Sequence, residues 1–128
     1  MNAYFGNIEE LTLENSFFRQ VVFTGKNCQL VLMCLKPGEE IGAEVHTSVD
    51  QFFRIESGTA KIVTGENEEH TVGDGDAIVI PAGTRHNVIN TSLDEELKLY
   101  TIYSPPNHPE GTIHKTKAEA EEAEKNEH

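Results

Sequence analysis

Between Phe17 and Tyr103 apolar and polar positions alternate in short runs rich in β-branched and aromatic residues, the two-residue period of strands with one buried face. The runs predict strands at Phe17 to Thr24, Gln29 to Lys36, Glu40 to His46, Gln51 to Glu56, Thr59 to Thr64, Ala77 to Ile80, Arg85 to Asn90 and Leu97 to Tyr103. Turn formers separate them: Thr24-Gly25-Lys26-Asn27, Lys36-Pro37-Gly38, Ser57-Gly58, Gly65-Glu66-Asn67, Gly73-Asp74-Gly75-Asp76 and Pro81-Ala82-Gly83. No intervening segment is long enough for a crossover helix. A parallel βαβ architecture is therefore excluded, and the prediction is an all-β antiparallel barrel or jelly roll.

Beyond Tyr103 the segment from Ser104 to Gly111 carries three prolines and is expected to lie extended against the barrel. From Thr116 the pattern changes to that of a short C-terminal helix. Thr116 and Glu119 have capping-box spacing, and Lys117/Glu121 and Glu121/Lys125 are helix-favourable pairs. With only Ala118, Ala120 and Ala123 as apolar residues, that helix has little face to bury, so the sequence leaves both docking and fraying open.

A chain of 128 residues fits one domain, 1-128, with the barrel at about 17-103. No apolar run approaches the roughly 20 residues of a membrane span, so no membrane partner is expected. Residues 1–15 lack the basic start and apolar stretch of a secretory leader, which makes the cytoplasm the expected location. Apolar residues are still frequent there: Tyr4, Phe5, Ile8, Leu11 and Leu13 exceed what a free tail carries, and the expectation is a homodimer. The formal charge of −12 opposes binding to a phosphate backbone, so no nucleic-acid partner is expected. Cys28 and Cys34 read as one strand's residues, roughly 20 Å apart at strand rise, too far for a disulfide. Both are expected to be reduced packing residues.

Alternation also locates the chemistry. Glu44 and His46 share one face of their strand, and Gln51 shares a face with Phe53 and Ile55, while Phe52, Arg54 and Glu56 form the more polar outer set. His86 falls in phase with Val88 and Asn90. Four polar side chains thus converge on an apolar interior, where each unsatisfied group costs roughly 1 to 3 kcal/mol and an unpaired carboxylate more. A divalent cation would satisfy all four. So, in part, would a metal-free network in which Glu44 pairs with protonated His46 or His86. The mixed nitrogen and oxygen donors suit Mn²⁺, Fe²⁺, Ni²⁺, Co²⁺ or Zn²⁺ better than Ca²⁺.

The stretch Pro37-Gly38-x-x-x-Gly42-x-Glu44-x-His46-x4-Gln51-x6-Gly58 resembles the first cupin motif, and Gly75-Asp76-x4-Pro81-x-Gly83-x-x-His86-x3-Asn90 resembles the second, at the expected separation. The resemblance covers Pro37 to Asn90 and implies a double-stranded β-helix, the cupin jelly-roll barrel. It also implies that Glu44, His46, Gln51 and His86 hold one divalent transition metal. Glu44 stands where the motif usually has a histidine, and Gln51 where it has a glutamate. One carboxylate and two imidazoles would leave a divalent ion with net +1, which favours an anionic or sugar-like small-molecule ligand.

Cupins include isomerases, lyases, dioxygenases and pure binding modules, so the resemblance carries the fold further than the reaction. Small cupins that linearise unsaturated uronates show similar glutamine and histidine spacing, although Glu44 departs from their pattern. The function expected is therefore a metal-dependent isomerase or lyase acting on a small oxygen-rich metabolite such as a sugar acid, with non-catalytic binding or sensing as the alternative. Of the other histidines, His70 reads as a solvated loop residue and His128 is terminal. His108 and His114 flank a segment that either covers the barrel mouth or serves backbone groups outside it. No nucleophile elbow or activated cysteine is present.

Overall fold

The computed structural model describes residues 2–126. In chain order they form α1 (Ile8–Glu14), β1 (Arg19–Thr24), β2 (Gln29–Leu35), β3 (Asp50–Ser57), β4 (Ala60–Thr64), β5 (Glu68–Val72), β6 (Ala77–Ile80), β7 (His86–Asn90), β8 (Leu97–Ser104), β9 (Ile113–His114) and α2 (Lys117–Asn126). One sheet has the order β6-β3-β8-β2-β1-β9, the other β5-β4-β7. Every pairing is antiparallel, as a jelly-roll barrel requires.

The two-residue period places the core between the sheets. On β3 the inward set Gln51, Phe53 and Ile55 is 2%, 1% and 0% exposed, whereas Phe52, Arg54 and Glu56 are partly exposed. Val31, Met33 and Leu35 from β2, Leu97 and Leu99 from β8, Ile62 from β4 and Val88 from β7 complete the interior. The alternate residues of β2, Leu32 and Cys34, are buried as well. Helix α1 explains this, because it packs across β2, β3 and β8 on the sheet's outer face.

Helix α1 was not anticipated. Its signal is short but present: Asn7 Oδ1 accepts from the Glu10 amide at 3.0 Å, with Glu9 and Glu10 in the first turn. Lys98 Nζ then ties down its far end by donating to the Leu13 and Asn15 carbonyls at 2.8 and 3.0 Å. Part of the apolar N-terminal surface is thus used by the chain itself; Phe5, 90% exposed, is not. Met1 lies outside the described residues.

Three further differences have physical causes. The expected strand Glu40 to His46 is reduced to two bridges, Glu40 to Ile89 and Glu44 to His86. Gly42 interrupts it with φ of +110°, a conformation that breaks a regular ladder. His70, expected in a solvated loop, lies instead on strand β5, an exposed edge strand whose charges suit an edge, 3.5 Å from Glu68. Cys28 precedes β2 and is exposed, so it is not a packing residue; Cys34 is buried, and burial first, then nearby Glu96, pushes its thiol to about 11.

Helix α2 docks rather than hanging free. Thr116 Oγ1 accepts from the Glu119 amide at 3.2 Å, and Ala120, 3% exposed, joins the core cluster. His128 lies outside the described residues.

Candidate metal centre

The irregular segment after Gly42 runs beside β7. Glu44 and His86 exchange both backbone hydrogen bonds at 2.9 Å, which sets their side chains next to each other. The His46 carbonyl accepts from the Gly83 amide at 2.8 Å, fixing the next inward position. Gln51 arrives from β3, where it pairs with Tyr103 of β8 and Ile80 of β6.

The four side chains singled out in the sequence come together. Glu44, His46 and His86 each offer a ligand atom within 4.8 Å of the others. Gln51 Oε1 lies 3.1 Å from His86 Nε2 and Glu44 Oε2 lies 3.2 Å from His46 Nε2. Two donors at right angles around an ion with bonds of about 2.1 Å stand about 3.0 Å apart. Both separations therefore match edges of a coordination polyhedron.

The hydrogen bonding bears on what a cation would meet between them. Gln51 Nε2 donates to Thr101 Oγ1 at 3.0 Å, which turns the amide oxygen toward His86. His86 has an acceptor at each end of its ring: the Thr84 carbonyl 3.0 Å from Nδ1 and Gln51 Oε1 from Nε2. A neutral imidazole has one N–H and satisfies only one of them. With the Gln51 amide oxygen facing Nε2, a cation held there would satisfy both atoms, as would a second proton on the ring or the Gln51 amide turned over with Thr101 donating to it. His46 Nε2 is buried, and although close to Glu44 it is not aligned for a hydrogen bond. Burial raises the proton affinity of Glu44, but contact with His46, then the charges of Arg19 and His86, outweigh it and hold the carboxyl below its ordinary value. The group is thus an anion ready to ligate.

Above these residues opens a cavity of about 480 Å³, lined among others by Arg19, Glu44, His46, His108, His114 and Glu124. Buried Gln29 builds its roof. Its Oε1 accepts from the amides of Asn107 and His108 at 3.1 and 2.9 Å, and its Nε2 donates to the His108 carbonyl at 2.8 Å. Of the two readings of the His108 segment, covering the mouth is the one observed. His108 Nε2 stands 3.2 Å from the buried Tyr103 hydroxyl, and the Tyr103 ring meets His46 edge-on at 5.9 Å. Burial, followed by the charge of Arg19, pushes His108 down to about 3, and burial raises Tyr103 well above its usual range. Arg19 and Tyr103 were missed from sequence. Arg19 left a signal, since it is in phase with inward Val21 on β1, where an apolar residue belongs.

With this geometry in place, comparison with known proteins gives consistent relatives. Residues 31–103 match the model of the Cupin_2 family, described as a cupin domain. Uncharacterized protein YrkC of Bacillus subtilis is 52% identical over 123 residues, covering 92% of this chain and 66% of YrkC. Uncharacterized protein L612 of Acanthamoeba polyphaga mimivirus is 52% identical over 113 residues, covering 87% of this chain and 71% of its own. The crystal structure of BH2720 from Bacillus halodurans superposes with a TM-score of 0.91 at 44% identity, covering 94% of this chain and 95% of that one. The chain is a member of the cupin family, in its Cupin_2 branch.

Proposed function

We propose that Glu44, His46, Gln51 and His86 hold one divalent transition metal and that the chain uses it on a small, oxygen-rich anionic metabolite such as a sugar acid. The observation that carries this reading is His86, held between two acceptors, 3.0 Å from the Thr84 carbonyl and 3.1 Å from Gln51 Oε1. The donor set suits Mn, Fe, Ni, Co or Zn. When bound, such an ion would polarise a carbonyl or carboxylate oxygen presented at the cavity. The chain's own residues supply the rest: His108 and α2 close the mouth, and Tyr103 backs His46. Elemental analysis of protein purified without added metal tests the assignment; about one transition-metal ion per chain supports it, and none would sink it.

The finer reading is isomerase or lyase chemistry, which requires a residue that moves a proton. One observation favours capture without turnover instead. His108, held down to about 3, is a weak proton acceptor at neutral pH. A screen of sugar acids and keto acids for product formation, beside a binding measurement on the same compounds, separates the two.

The working form is proposed to be a homodimer, supported by Phe5, Leu93 and Val79, which are 90%, 96% and 66% exposed. Sedimentation should then give twice the 14.2 kDa chain mass, and a monomer at all concentrations would refute it.

A further inference from the structure

The cavity contains a buried cation that the metal reading leaves unused. Arg19 is 3% exposed, and among the described residues no carboxylate comes within 4.0 Å of its guanidinium. Its Nε has no hydrogen-bond partner. NH1 donates to His114 Nδ1 at 3.3 Å, across the register that pairs β1 with β9. Arginine only donates, so Nδ1 is the acceptor and a neutral His114 carries its proton on Nε2. The guanidinium also lies against the Phe18 ring, 5.3 Å from its centroid, which holds it in place without compensating its charge.

A buried guanidinium with no carboxylate in contact among the described residues, the anion Glu44 acting on it only through space, is costly, and proteins accept such a group where a ligand supplies a closer charge. Arg19 lines the same cavity as Glu44 and His46. We infer that Arg19 is the carboxylate-recognising residue of this cavity, so that the ligand is a small carboxylic acid whose carboxylate rests on Arg19 while a second oxygen reaches the Glu44 and His46 end. The planar fork of donors matches a carboxylate, and His114 orients it. A cavity of about 480 Å³ admits a molecule the size of a uronic acid. Glu124 on the rim disfavours a second negative group at the opening, which points to monocarboxylates rather than polyacids. This assignment rests on reading the cavity as the ligand site, but not on the identity of the metal.

The test pairs each acid with its neutral counterpart: D-galacturonate with D-galactose, and glycolate with glycolamide, titrated calorimetrically into wild type and Arg19→Met, with metal content measured separately. Wild type should prefer the acids, and Arg19→Met should lose that preference by roughly ten- to a hundredfold in affinity while its metal content stays at the wild-type level. Arg19→Lys keeps the charge and should keep part of the preference; if Arg19→Met fails to fold, a loss of at least roughly tenfold in Arg19→Lys decides the matter. No acid preference in wild type, or an undiminished preference in the folded variants, would overturn the proposal. Wild type that carries no transition metal as purified and still prefers the acids, through Arg19, would refute the metal assignment and leave this one standing.

Discussion

Gln51 Oε1 and His86 Nε2 face each other at 3.1 Å, with the Gln51 amide turned that way by its bond to Thr101 and the His86 ring by the Thr84 carbonyl. If both are ligands, they answer differently to substitution. In Gln51→Glu the Thr101 hydroxyl can turn from acceptor to donor, so nothing is orphaned, and the metal should be retained. The site then falls from net +1 to neutral, and affinity for glycolate should drop about tenfold or more. His86→Ala removes a nitrogen donor and should weaken metal binding itself by at least roughly tenfold. Elemental analysis and glycolate titration of both variants check this. Unchanged values in Gln51→Glu would place Gln51 outside the coordination sphere.

The barrel has its own core, with Phe53, Ile55, Leu97 and Leu99 at 1% exposure or less, so the metal should stabilise the fold without being needed for it. Binding at a free concentration a hundredfold above Kd contributes about 2.7 kcal/mol. Excess EDTA should therefore lower Tm by several degrees and leave a cooperative transition. Loss of that transition on chelation would show that the four polar groups cannot be buried without the ion.

Acid sensitivity should trace in part to His108. Burial, then Arg19, lowers it from 6.5 to about 3, so between those values the unfolded chain binds a proton that the folded chain refuses. Its contribution is fully present above pH 6.5 and is lost as pH falls toward 3. In metal-free protein, where competition between protons and metal is absent, His108→Gln should narrow the gap in unfolding free energy between pH 7.5 and pH 4.5. An equally wide gap would mean that His108 titrates near its ordinary value.

The parts of this molecule that were legible in its sequence are those where one side chain reports one face. Gln51, His86 and Asn90 sit in phase with Phe53 and Val88, so their burial at 3% exposure or less follows from alternation. Strand β5 has no such contrast, being an edge exposed on nearly every residue, and its charges read as loop. Helix α1 spans 7 residues, too few for periodicity to stand out, and is held by packing and by Lys98 from 85 positions away. The mouth of the cavity was illegible for a related reason. What brings His108 there is Gln29, 79 residues distant, whose three hydrogen bonds to Asn107 and His108 no local pattern encodes.

Gly42 tests whether the break in the ladder is what aims the ligands. Its φ is +110°, and an added Cβ would meet nothing within 4 Å, so the cost of Gly42→Ala is confined to backbone strain of roughly 1–3 kcal/mol. Relief of that strain would pull the segment toward regular strand and move Glu44 and His46 with it. Gly38 supplies the control. It has φ of +78°, its added Cβ is equally unobstructed, and it lies in the turn before the segment. Gly38→Ala should lose comparable stability and keep wild-type metal affinity, whereas Gly42→Ala should lose both. Equal metal affinities in the two variants would show that Glu44 and His46 are positioned by their bonds to His86 and Gly83 alone, and that the irregularity at Gly42 has no part in the site.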